Sequence, residues 1–67
     1  MNKFVMVKPG PDKVSSLYIA KITTQLLKSK GFNKEADRVA MKITGLTSVK
    51  DAYKITSRYI QWEVGVL

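Results

Sequence analysis

The sequence contains no cysteine and no histidine, and acidic residues are scarce, with 5 Asp or Glu against 12 Lys or Arg in 67 residues. Without cysteine the chain cannot form a disulfide, and without either residue type it lacks the usual ligands of a closed zinc site. The same absences exclude Ser-His and Cys-His nucleophilic groups. The spacing of the acids suggests neither an acid–base pair nor a magnesium site. We therefore expect no catalytic residues, no metal and no cofactor.

Long apolar runs are also missing. The longest, such as Phe4 to Val7, cover about four residues, whereas a membrane-spanning helix needs about 20. The first residues lack the apolar stretch and the cleavage site of a secretory signal. We therefore expect no membrane contact and a cytoplasmic location, nucleoid-associated if the partner is DNA.

The residues that are present suit one folded domain over residues 1–67. Apolar residues make up 45% of the chain, and no repeat or low-complexity segment interrupts it. A core of this size rarely leaves more than about 3–5 kcal/mol of net stability, so a partner subunit is expected. The net charge of +7 indicates a partner that carries negative charge.

Proline and glycine divide the first half into a strand and a helix. Residues 3–8 form a β-rich run that Pro9-Gly10-Pro11 stops. Apolar residues at helical spacing then predict a helix over residues 12–30, with Asp12 as its N-cap. Gly31 is a typical residue after a helix end, and Phe32 can fold back onto the helix.

The second half predicts a strand, a helix and a strand. Residues 38–44 alternate between apolar and polar side chains, which is typical of a half-buried strand. Thr47 or Ser48 can cap the next helix, with Asp51 completing a capping box, and its apolar face runs from Val49 to Ile60. The last strand covers residues 62–66.

This order predicts a small βαβαβ two-layer α/β sandwich, with two helices on one face of a short sheet and the first two strands parallel. One face of such a sheet is bare, so we expect a homodimer. The alternative is a mostly helical bundle in which residues 38–44 continue a helix.

The basic residues are concentrated in three places. Two are the loops after the first and second predicted strands, which would share one sheet edge. The third is one face of the second predicted helix, with cations at i, i+4 and i+8. A solvated charged surface would explain the two loops equally well, but their convergence at one edge matches what a phosphate-backbone binder needs. The basic helix face has few acids to pair with, which also favours a partner. The candidate nucleic-acid contacts are Lys8, Lys13, Lys42, Lys50, Lys54 and Arg58.

Two short motifs resemble the Alba superfamily of nucleic-acid-binding proteins. Lys8, Pro11 and Val14 match the first loop of the branch that includes stage V sporulation protein S. The segment from Val39 to Gly45, with Lys42 three residues before the glycine, is similar to the second strand of the archaeal chromatin branch.

The resemblance covers about residues 3–64 and implies a dimeric α/β fold that binds DNA or RNA through Lys8 and Lys42. Two features depart from the family. The connector between Gly31 and Val39 is longer, and no segment for the family's extended β-hairpin arm follows the last predicted strand.

Two functional hypotheses follow. The first is a small basic protein that contacts the phosphates of DNA or RNA with little sequence readout, in a chromatin or regulatory role. The alternative is an adaptor or inhibitor, of the kind that phages and viruses encode, that docks its basic face on an acidic protein. An exposed Trp62 would favour the alternative, because tryptophan is a common interface anchor.

Overall fold

The described residues form two short strands and three helices in a small mixed α/β fold, so the α/β class predicted from the sequence is confirmed. The computed structural model describes residues 3–10, 12 and 14–65. No helix within these ranges is long and apolar enough to cross a membrane. In chain order the elements are β1 (Phe4–Val7), α1 (Ser16–Ser29), α2 (Asn33–Lys42), α3 (Val49–Thr56) and β2 (Ile60–Glu63).

The first and last elements pair as a two-stranded parallel sheet in which Met6 lies beside Trp62. Ile60 is buried, whereas Val5 and Val7 are 61% and 60% exposed. Because successive side chains of a strand point to opposite faces, one face of the sheet packs on the helices and the other is open.

The segment predicted as the second strand is a helix. Residues 38–44 fall largely within α2, whose buried residues Ala36 and Val39 are followed by buried Ile43 just after the helix. These three residues have the spacing of one helix face, and they pack in the core with α1. Met41, which a strand would turn inward with Val39 and Ile43, is 81% exposed. The helical alternative is therefore right for this segment, although the sheet rules out a helical bundle.

The predicted βαβαβ order is therefore corrected to βαααβ. The described residues form two strands instead of three, and β1 pairs in parallel with β2 instead of with residues 38–44. The strand predicted over residues 62–66 begins earlier, at Ile60, and ends at Glu63, so the preceding helix is shorter than its predicted apolar face. Val66 lies outside the described residues.

Serine side chains cap the N-termini of both α1 and α3. The predicted N-cap Asp12 is replaced by Ser15, whose Oγ accepts a hydrogen bond from the Tyr18 N–H at 3.1 Å. The predicted N-cap Ser48 is confirmed, because its Oγ accepts from the Asp51 N–H at 3.1 Å. Each bond satisfies a backbone donor that the first turn of a helix leaves free.

The predicted glycine stop of α1 is confirmed. Gly31 has a φ of 86°. Its N–H donates to the Lys28 carbonyl at 3.0 Å, and the Phe32 N–H donates to the Leu27 carbonyl at 2.8 Å. This is the Schellman pattern, which turns the chain sharply and brings Phe32 back onto the core.

The core lies between the helices and the closed face of the sheet. Ile19 and Leu27 of α1, Val39 of α2 and Ile60 of β2 are each at most 1% exposed. A two-stranded sheet is at best marginally stable in water, so this packing is what holds the strands together.

We expect Gly31→Ala to lower the free energy of unfolding by about 1–2 kcal/mol, because a Cβ is strained in the left-handed region. Gly10→Ala is the matched control, since an added Cβ meets nothing within 4 Å at either glycine and only Gly31 has the left-handed φ. Urea denaturation followed by circular dichroism measures both. Equal stability of the two variants would contradict this account of the turn.

Candidate nucleic-acid interface

Lys8 directly follows β1, and its side chain lies over an aromatic ring of α3. Its backbone N–H donates to the Glu63 carbonyl at 2.9 Å. Its Nζ is 5.0 Å from the centroid of the Tyr53 ring, within the range at which a ring face attracts a cation. This cation–π contact connects the loop after β1 to the helix α3.

Tyr53 is held in place by Trp62 and Thr56. The rings of Tyr53 and Trp62 meet edge to face, with centroids 5.1 Å apart. The Trp62 Nε1–H donates to Thr56 Oγ1 at 2.8 Å, and the Thr56 hydroxyl donates to the Ala52 carbonyl at 2.9 Å. Trp62 is half-buried, so the exposed tryptophan that would favour the adaptor hypothesis is not observed.

Burial also makes the Tyr53 hydroxyl a weaker acid. Desolvation raises the pKa of its hydroxyl above the usual 10.0, because a buried site disfavours the phenolate. A phenol is neutral at physiological pH even at its ordinary pKa, so the side chain adds no negative charge beside Lys8, and burial widens that margin.

The loop between α2 and α3, residues 43–48, lies against the first turn of α1. Ser16 Oγ donates to the Thr44 carbonyl at 3.1 Å. Within the loop, the Thr44 N–H donates to Thr47 Oγ1 at 3.0 Å, and the Leu46 N–H donates to Thr44 Oγ1 at 3.2 Å. These bonds fix the loop and place the first turns of α1 and α3 near each other.

Four of the candidate lysines lie beside this loop, within α3 or against Tyr53 of α3, and we call them the basic surface: Lys8, Lys42, Lys50 and Lys54. Lys50 is in the first turn of α3, three residues before Tyr53, and Lys54 is one turn further on; both are exposed. Lys42 ends α2 immediately before the loop. The positive ends of the α1 and α3 dipoles add to the potential there.

Two sequence candidates are not part of the basic surface as described. Lys13 lies outside the described residues. Arg58 lies between α3 and β2, at the end of the sheet opposite Lys8. There it lines a cavity with Phe32, Glu35, Arg38 and Tyr59.

Sequence reasoning missed two features near the basic surface. It assigned Tyr53 to the core, which accounts for its packing but not for its contact with Lys8. It also missed the exposure of Leu17 and Leu46, which are 55% and 99% exposed. Leu46 could have been noticed as an apolar residue next to Gly45, outside any periodic segment.

We expect Thr56→Val to lower the free energy of unfolding by about 1–2 kcal/mol, because it removes the acceptor of the Trp62 indole. Thr23→Val is the matched control: Thr23 is also fully buried, but its Oγ1 has no partner among the described residues. The control should be as stable as the wild type or more stable. Denaturation followed by the fluorescence of the single tryptophan measures the free energy of unfolding of both variants. Unchanged stability of Thr56→Val would show that this bond does not hold Trp62.

Three comparisons with known proteins identified no protein similar to this chain. A scan of family models, a search of curated proteins and a search of solved structures each found no match.

Proposed function

We propose that this chain is a small, non-enzymatic nucleic-acid-binding protein that holds the phosphate backbone of DNA or RNA on its basic surface. The contact between Lys8 and Tyr53 supports this most strongly, because it joins the loop after β1 to the lysines of α3. Neighbouring lysines can neutralise successive phosphates and release their counterions. Such contacts carry no sequence information, so we propose little base readout.

The charge balance of the chain supports the same proposal. The net charge of +7 attracts a polyanion over a longer range than the individual contacts. Helix α3 contains two exposed lysines and one acidic residue, Asp51. The Glu63 carboxylate accepts a hydrogen bond from Gln61 Nε2 at 2.9 Å, on the open face of the sheet. The basic surface thus keeps an excess of cations.

The resemblance to the Alba superfamily supports the proposal through Lys8, which follows β1 as the resemblance implies. Lys42 ends a helix instead of a strand. Its part in binding is therefore proposed from its place beside the α2–α3 loop. We propose a cytoplasmic or nucleoid location because DNA and RNA are found there.

We also propose that the protein acts as a homodimer. The open face of the sheet exposes Val5 and Val7, and the described part of the sheet has only two strands, so each strand has one free edge. Free edges and apolar sheet faces favour association. A second copy would double the number of lysines that face one nucleic acid.

Salt dependence tests the phosphate-contact proposal. With four lysine contacts on duplex DNA, log K should fall against log salt with a slope of about −3.6. Fluorescence anisotropy of a labelled duplex and a labelled single-stranded RNA measures the slope for each. No binding to either probe at about 50 mM salt and micromolar protein, where backbone contacts are strong, would overturn the proposal.

A pair of double variants tests the location of the site. Lys8→Gln with Lys50→Gln should weaken binding about tenfold to a hundredfold at low salt and make the slope shallower by about 2. Lys21→Gln with Lys28→Gln removes the same charge from exposed positions of α1 and should have a much smaller effect. Equal losses in the two variants would show that binding follows net charge and not the basic surface.

A protein partner is the second candidate function, and the exposed Leu17 and Leu46 beside the basic surface favour it. Apolar anchors ringed by cations suit an acidic protein with an apolar pocket. Leu46→Ser separates the two functions. It should abolish a stoichiometric complex with such a partner, whereas phosphate binding, which depends on charge, should keep its affinity and its salt slope.

A further inference from the structure

The cavity that contains Arg58 lies at the end of the sheet opposite Lys8, and the proposed function does not use it. Its volume is about 400 Å³, and it is lined by Phe32, Glu35, Arg38, Arg58 and Tyr59. This volume is within the range of small-molecule sites, about 300–1,000 Å³. The space is therefore large enough for a ligand with a ring and one charged group.

Two arginines and one glutamate line this cavity. Glu35 and Arg38 are one turn apart on α2, and Arg58 comes from the turn before β2. Within this described region, no ion pair within 4.0 Å joins the carboxylate to either guanidinium. The excess charge is positive, and guanidinium groups bind phosphate and carboxylate through paired hydrogen bonds.

The start of α2 adds backbone donors to the same place. Phe32 occupies the N-cap position, and its side chain makes no capping hydrogen bond. The amide groups of the first turn are therefore not satisfied by a cap, and the positive end of the helix dipole lies beside the arginines.

The remaining walls are aromatic. Phe32 is half-buried, with its ring 5.7 Å from that of Phe4 in an edge-to-face contact. Tyr59 is 7% exposed, and its backbone is fixed because its carbonyl accepts from the Phe4 N–H at 3.0 Å. Aromatic rings and guanidinium planes are the surfaces on which planar heterocycles stack.

From these contacts we propose that the cavity binds a phosphate attached to a planar heterocyclic group, as in a nucleoside monophosphate or the 5′-phosphorylated end of a nucleic acid. Arg38 and Arg58 hold the phosphate, and Phe32 and Tyr59 border the ring. Glu35 lowers the positive charge of the site and thereby limits its affinity for a dianion. The proposal does not rest on the basic surface, so either one can fail without the other.

Titration of the full chain with adenosine 5′-monophosphate, followed by ¹H–¹⁵N NMR, tests the proposal. We expect saturable shifts of the amide signals of the cavity residues. Adenosine and inorganic phosphate, used separately, should each bind at least about tenfold more weakly, because each keeps only part of the contacts. A short oligonucleotide with and without a 5′-phosphate distinguishes the two sources: tighter binding than the mononucleotide, dependent on the phosphate, identifies a strand end.

Variants separate this site from general electrostatics. Arg58→Gln and Arg38→Gln should each weaken nucleotide binding about tenfold or more, and Glu35→Gln should strengthen it severalfold. Lys21→Gln removes one charge from an exposed position of α1 that does not line the cavity and should leave the affinity within about twofold, because salt screens exposed charges that do not contact the ligand. Circular dichroism confirms that each variant is folded.

Any of four outcomes would overturn the proposal, and the first three come from the titrations. They are the absence of saturable shifts at millimolar nucleotide, shifts confined to the residues around Lys8 and Lys50, and equal affinities for inorganic phosphate and the nucleotide. A loss of affinity in Lys21→Gln as large as that in Arg58→Gln would also overturn it.

Discussion

The parallel pairing of β1 with β2 is the interaction on which the rest of the structure depends. Parallel neighbours cannot be joined by a tight turn, so the chain must return to the starting end of the sheet before β2 begins. The three helices form this crossover connection, and α3 is its last element before β2. Its first turn must then lie toward the end where β1 stops, which is how Lys8 comes to lie over Tyr53.

The same constraint separates two charged regions. The end of the sheet where the strands stop carries Lys8, and the lysines of α3 are linked to it through Tyr53. At the other end, where β2 begins, the cavity is lined by Arg58, by the aromatic residues Phe32 and Tyr59, and by residues from the first turns of α2. The first region is an exposed surface of lysines, which suits an extended polyanion. The second is a concave site with arginines and rings, which suits one small anionic group.

Local signals were predictable because their causes are local. Ser48 caps α3 through a bond to a residue three positions on, and Gly31 ends α1 through its own φ. Residues 38–44 were not predictable in the same way, because their short alternation and the helical spacing of Ala36, Val39 and Ile43 point to different structures. Packing against α1 decides between them, and no local window contains that contact.

The sequence by itself determined the α/β class, the excess of positive charge, the absence of cysteine and histidine chemistry, and the points where β1 and α1 stop. These properties follow from composition, from φ preferences and from hydrogen bonds between near neighbours. Only the tertiary structure decided that Lys8 contacts Tyr53 of α3 and that Arg58 lies at the other end of the sheet. Those facts depend on strand pairing between residues far apart in the chain and on which helix face is buried, and both are settled by the packing of the whole core.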